Sequence, residues 1–296
     1  MVAYRSRDSQ RGYRTNAPRV VRITPAGGSC RPQTARFGLD RGRGDESERA
    51  SPGVRLNRRV ILIEGRELDC HGAYRLPDPF EQVEFRRCTV RTCQSPAQRT
   101  LADRPVVRNV SLVRCHIVAS TAGPVVAEDS TIETITVHRG IWGPQILPGW
   151  AFRHVVVRGN VTGSVALLPG PGWNLGPHGP ALDDPFVVAN DRYYEDVDWA
   201  LDISEARFTD IVLGSGIPAR LIRRDPATQV VITRAALADG RWRDLVSDAG
   251  GMSVGFERFL VSGFEDTVVV AGTRGRYLAK QLAAFARLRD AGIVAD

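Results

Sequence analysis

The chain has 296 residues, 43% of them hydrophobic and 25% charged, which suits one large or two ordinary folded units and excludes a wholly disordered chain. Its formal charge of +7 is unevenly held: residues 1–59 carry fourteen Arg against five acidic residues, and the remainder is nearly neutral. No apolar run approaches the roughly 18–20 residues of a transmembrane helix, and Arg residues interrupt the N-terminus where a secretory core would lie, so the expectation is a cytoplasmic protein without membrane contact.

Residues 1–58 read as a disordered arm, rich in Arg, Gly, Ser and Pro, with Val20, Val21 and Ile23 as a short apolar cluster. Clustered Arg suits nucleic acid, because it displaces counterions from phosphate; a solvated tail is the plainer alternative. Lys280 is the only lysine beside 39 arginines, a compositional bias that weakens every Arg-rich signal in the chain. The five cysteines, Cys30, Cys70, Cys88, Cys93 and Cys115, are odd in number and lack an export signal, so no disulfide framework is expected.

From Val60 onward a five-residue beat takes over. Ile63 and Leu68 are five apart, followed by Phe80, Phe85 and Val90. Between Leu112 and Leu167 the beat is unbroken: Leu112, Ile117, Ala122, Ala127, Ile132, Val137, Trp142, Leu147, Phe152, Val157, Thr162 and Leu167, eleven of twelve being apolar or Ala. Neither a helix of period 3.6 nor a lone strand of period 2 produces such a beat. The position two before each centre is mostly small or apolar, as at Val83, Cys88, Val110, Cys115, Ile135 and Val155.

These paired positions resemble the pentapeptide-repeat family, through Val83 to Val90, Val110 to Ile117 and Ala206 to Asp210. The likeness covers about residues 60–168 and 200–214. It implies a mainly β fold, a right-handed parallel β-helix in which four pentads make one square turn. Leu112, Ile132 and Phe152, twenty residues apart, would then lie beneath one another. Some members of that family protect DNA gyrase by imitating the charge of duplex DNA. Five Arg against Glu128, Asp129 and Glu133 between Val107 and Leu167 speak against that role for this chain.

The expected organisation is therefore an arm at 1–58, a β-helix at 59–214 interrupted by an insertion at 169–199, and a small α/β cap at 215–296. The insertion opens on Pro- and Gly-rich sequence and turns helical between Asp184 and Trp199. In the cap, Gln229–Thr233 and Val268–Val270 read as strands. Phe256–Leu260 and Arg276–Arg289 read as helices, the second with Leu278, Leu282, Phe285 and Leu288 on or near one face.

No nucleotide-binding, hydrolase or zinc-protease motif appears. The cysteines and His71 and His116 lack metal-ligand spacing, so neither metal nor cofactor is expected. Asp183, Asp184, Glu195, Asp196, Asp198 and Asp202 cluster in or beside the insertion, and a carbohydrate-active lyase or hydrolase would need Asp183, Asp198 and Asp202 to converge on one cleft. Stacked outward columns offer a different clue. Arg87, Arg114, Thr134, His154 and Asp210 fall in one column and Arg91, Val118, His138 and Arg158 in a neighbouring one. An Arg- and His-bearing face fits a carboxylate-rich partner. The leading expectation is a non-enzymatic scaffold that binds another protein through Arg87, Arg114, His138, His154 and Arg158, with no assignment of oligomeric state.

Overall fold

The computed structural model describes residues 20–22, 60–65, 67–69, 80–81, 83–87, 89–91, 100–118, 123–138, 145–170, 184–214, 216–273, 275 and 277–295. Most of the expected arm, together with Asp183, His71, Cys30, Cys70, Cys88 and Cys93, lies outside the described residues.

Short Val- and Ile-rich strands come first: β1 (Val20–Arg22), β2 (Val60–Glu64), β3 (Glu67–Asp69), β4 (Phe80–Glu81), β5 (Val83–Arg86) and β6 (Thr89–Arg91). Next are β7 (Val106–Arg108), β8 (Ser111–Val113), β9 (His116–Val118), β10 (Val126–Glu128), β11 (Thr131–His138), β12 (Gln145–Pro148), β13 (Ala151–Arg153) and β14 (Val155–Leu168). Helix α1 (Pro185–Glu195) separates these from β15 (Leu201–Asp202), β16 (Ala206–Leu213) and β17 (Ile222–Arg223). The C-terminal part holds β18 (Gln229–Thr233), α2 (Arg234–Leu237), α3 (Trp242–Leu245), α4 (Met252–Ser262), β19 (Asp266–Val270), α5 (Tyr277–Asp290) and β20 (Val294–Ala295).

A 13-stranded parallel sheet runs β1-β2-β5-β8-β11-β14-β15-β17, with β3, β6, β9, β12 and β16 joining off that path. Strand β1, inside the expected arm, thus forms its edge. A second parallel sheet has the order β13-β10-β7-β4, and a third places β18 between antiparallel β19 and β20. No helix is long and apolar enough to cross a membrane among the described residues.

This architecture corrects the expected mainly β, right-handed pentapeptide-type β-helix. The described residues form α/β-like parallel sheets with helices, and no closed or solenoid sheet. The register gives the physical reason. Ile63 pairs with Phe85, Phe85 with Leu112, Leu112 with Ile132 and Ile132 with Val157. The successive steps are 22, 27, 20 and 25 residues. Only one step has the length of four pentads. Phe152 pairs with Ala127 in the second sheet and not with Ile132. A five-residue beat fixes which side chains face inward at each bend, but connections of unequal length set which strands lie side by side.

Alternation still governs the strands. Along β14, Val155 and Val157 are buried whereas Arg158 is exposed, as expected when neighbouring residues point to opposite faces. The bends between strands use left-handed backbone. Gly65, Arg87, Arg114, Thr134 and Gly159 have φ between 50° and 71° and form one series of bends. The Arg87 N–H donates to the Val113 carbonyl at 2.9 Å and the Arg114 N–H to the Glu133 carbonyl at 2.8 Å. Asn109, Asp129 and His154, with φ of 53°, 48° and 54°, form a second series.

Helix α1 is started by Asp184, whose Oδ1 accepts from the Phe186 N–H at 2.8 Å, and by Pro185 in the first turn. It buries Phe186, Val187, Asn190 and Tyr194, and the Tyr194 hydroxyl accepts from the Phe152 N–H at 3.3 Å. A second core gathers Trp242, Phe256, Phe285 and Leu288 around β18. Arg234 closes α4 by donating to the carbonyls of Leu260 at 2.7 Å and Phe264 at 2.6 Å. Gln229, fully buried, donates to the Ile203 carbonyl at 2.9 Å and ties this core to the parallel sheet.

Candidate functional site

The outward residues of β5, β8, β11 and β14 can be read off the ladder. Glu84, Ser111, Thr131 and Val156 form one row across the strands. Arg86, Val113, Glu133 and Arg158 form the next. Arg87, Arg114, Thr134 and Gly159 follow at the bend. The strand β8 contributes only Ser111 and Val113 to this face, and their shortness leaves an open depression of about 450 Å³. Its rim is Glu84, Arg86 and Arg87 on one side, Thr131, Glu133 and Arg158 on the other, with Arg114 at the bend.

Two of the four guanidinium groups are neutralised in place. Arg86 donates to Glu84 Oε1 at 2.5 and 2.9 Å, and its pKa is raised chiefly by that hydrogen bond, with Glu64 on β2 and Glu133 on β11 adding attraction. Arg158 donates to Glu133 Oε2 at 2.7 and 3.1 Å. Arg87 and Arg114 are exposed, and neither has a side-chain hydrogen bond or ion pair among the described residues. They occupy consecutive bends of adjacent strands, so their Cα atoms lie about one strand spacing, roughly 5 Å, apart. Like charges carried on neighbouring strands at that backbone spacing repel one another. Both residues also carry positive φ, a conformation that is uncommon for residues other than Gly, Asn and Asp.

Three of the five residues expected from the sequence thus meet here: Arg87, Arg114 and Arg158. The other two stand elsewhere. His138 lies beside His116 across β11 and β9, with His116 Nδ1 and His138 Nε2 3.2 Å apart. Their ring centroids are 5.5 Å apart and their planes 16° from parallel. A centroid distance so much longer than the nitrogen separation means the rings meet edge to edge, in an N–H···N hydrogen bond and not a face-to-face stack.

His154 stands at the second series of bends, between two carboxylates. Its Nε2 is 2.6 Å from Asp198 Oδ1 and its Nδ1 is 3.1 Å from Asp129 Oδ1. Its ring lies 4.8 Å from that of Trp199, which in turn carries the Arg223 guanidinium at 4.1 Å. The Asp198 hydrogen bond raises the His154 pKa, burial opposes the rise, and Asp129 adds to it. The Asp198 carboxyl is held below its ordinary range by the same bond. With both ring nitrogens engaged, His154 is a latch between the sheet and the chain after α1.

Of the carboxylates considered for glycoside cleavage, Asp183 lies outside the described residues and three others make local contacts. Asp198 holds His154, Asp202 accepts from the Ser204 hydroxyl at 2.6 Å, and Asp184 caps α1. No group of three or more His, Cys, Asp or Glu side chains gathers as a metal site among the described residues.

Sequence reasoning missed Glu84, Arg86, Ser111, Thr131 and Glu133. The signal was present: these residues flank the repeat centres Phe85, Leu112 and Ile132 by one position. Aligning those centres with one another, and not at a fixed interval of twenty, places the flanking residues in a single field.

Fold and site together define a class: an α/β protein built on parallel sheets, with a charged depression on one outer sheet face. No protein-family model, no curated protein and no solved structure matches this chain.

Proposed function

We propose that the protein is a non-enzymatic docking protein that holds an acidic segment of a partner protein against the sheet face at Arg87 and Arg114. The observation that carries this reading is the pair of adjacent, exposed arginines left without counter-charges beside two arginines that are already paired. An acidic partner relieves their mutual repulsion and supplies charge-assisted, bidentate hydrogen bonds. The surrounding strands make the face rigid, so little conformational entropy is lost on binding.

The test is a fluorescence-anisotropy titration with a labelled peptide rich in Asp and Glu. Arg87→Glu combined with Arg114→Glu weakens binding at least tenfold, in keeping with coupling energies above about 1.4 kcal/mol for close interfacial charge pairs. Arg241→Glu, at a surface arginine paired with Asp239 in the C-terminal part, leaves it unchanged. Equal affinity in the wild type and the double variant removes the reading.

A further inference from the structure

We propose that the depression between Arg87 and Arg114 is a phosphate-recognition site, which takes a phosphorylated side chain carried by the acidic segment of a partner protein. This deepens the docking role and rests on it.

Glu84 and Glu133 occupy Arg86 and Arg158, so the free positive charge of the depression is that of Arg87 and Arg114 alone. A phosphomonoester carries about −1.5 to −2 at neutral pH and neutralises both, whereas a single carboxylate neutralises one. Geometry agrees with the count. Two guanidinium groups on neighbouring strands, about 5 Å apart at their Cα atoms, bracket one tetrahedral oxyanion more naturally than one planar carboxylate. Donors also stand at the floor. The hydroxyls of Ser111 and Thr131 line the depression, and neither is engaged with another group among the described residues. Val113, in the next row between Arg86 and Glu133, offers apolar contact to the carbon stem of a phosphorylated residue.

The flanking acids decide the class of macromolecule. Glu84 and Glu133 stand on opposite sides of the depression. They confine the attractive field to one spot and repel an evenly charged polyanion laid across it. A nucleic acid needs a continuous basic track; this face offers a point. The volume of about 450 Å³ lies in the range of sites that hold one small ligand group.

The experiment uses the full chain and four probes in parallel calorimetric titrations. These are an acidic peptide containing one phosphoserine, the same peptide with unmodified serine, the same peptide with Glu at that position, and single-stranded DNA of matched charge. The phosphopeptide binds at least tenfold more tightly than the Glu peptide. Arg114→Gln, which keeps the side chain polar and the fold intact by circular dichroism, brings the phosphopeptide down to the Glu peptide's affinity. If the Ser, Glu and phosphoserine peptides bind equally and all lose affinity in Arg87→Glu with Arg114→Glu, the phosphate site is overturned while the docking role stands. If no peptide depends on these two arginines, both fall. DNA binding as tight as the phosphopeptide overturns the choice of partner.

Discussion

Gly163 sits in β14 with φ of +109°, and a Cβ added there would lie 2.0 Å from the Val137 carbonyl oxygen and 2.9 Å from its carbon. Both neighbours belong to the backbone of β11, so neither can rotate away. The position coincides with an irregularity of register, where three residues of β14 span two of β16 between Val161 and Ser164. Gly163→Ala therefore adds backbone strain of about 1–3 kcal/mol and an overlap that must be relieved by moving one strand, about 1–3 kcal/mol more. Together these amount to about 2–6 kcal/mol, or a fall of roughly 10 °C in Tm for a chain of this size. Urea unfolding followed by circular dichroism measures the first quantity and a thermal melt the second. Gly255→Ala is the matched control. Gly255 is exposed within α4 with nothing within 4 Å of an added Cβ, so the same substitution stabilises by about 0.5–1 kcal/mol there. A loss below about 1 kcal/mol for Gly163→Ala would mean that β14 and β11 do not run together at this point, and the ladder beneath the candidate site would be wrong.

Two further outcomes follow from the same geometry. Phe152→Asp, at a side chain 4% exposed, is expected to cost more than about 4 kcal/mol by losing apolar burial and stranding a charge; Arg153→Asp, exposed one position along, stays within about 0.5 kcal/mol, and equal damage from both would contradict the inward assignment of Phe152. The His154 latch gives a pH dependence with a definite sign. His154's pKa is raised from 6.5, so its contribution is complete below that value and is lost as pH climbs through the raised one; Asp198's is lowered from 3.8, so its contribution is complete above that value and is lost as pH falls through the lowered one. The stability difference between wild type and His154→Asn is therefore largest between those ordinary values, as at about pH 5, and shrinks as pH climbs through the raised His154 value, so it is smaller at about pH 9. Urea midpoints of both proteins at the two pH values check it, and a difference that grows with pH would contradict the latch.

The inward residues were legible in the sequence because burial leaves a local trace. Leu112, Ile132 and Val157 each sit between two outward residues, and each pairs with its neighbour as a centre. The strand Gln229–Thr233 and the helix around Phe256 were legible for the same reason: their periods of two and 3.6 are written within a dozen residues. What was not legible is which centre meets which. The connections between paired centres vary from 20 to 27 residues, and the interval of twenty holds between Leu112 and Ile132 but not onward to Phe152. That shift is why His154 left the arginine column for Asp129 and Asp198, and why Arg158 moved from the side of His138 to that of Glu133. Arg87 and Arg114 were found together because each occupies a bend two positions after a centre of the five-residue beat, a relation that survives any change in connection length. The paired carboxylates around them were overlooked because Glu84, two positions from Arg86, reads as ordinary surface, and Glu133, 25 residues from Arg158, reads as unrelated to it until the neighbouring strands are placed.

The charge preference of the Arg87 and Arg114 face is best tested by exchange. The wild type and the Arg87→Glu, Arg114→Glu variant are each titrated with an acidic peptide and with its Lys-substituted counterpart at low and physiological salt. The wild type favours the acidic peptide, the variant favours the basic one, and salt weakens both preferences. A variant that keeps the wild-type preference for the acidic peptide would place the docking surface elsewhere on the molecule.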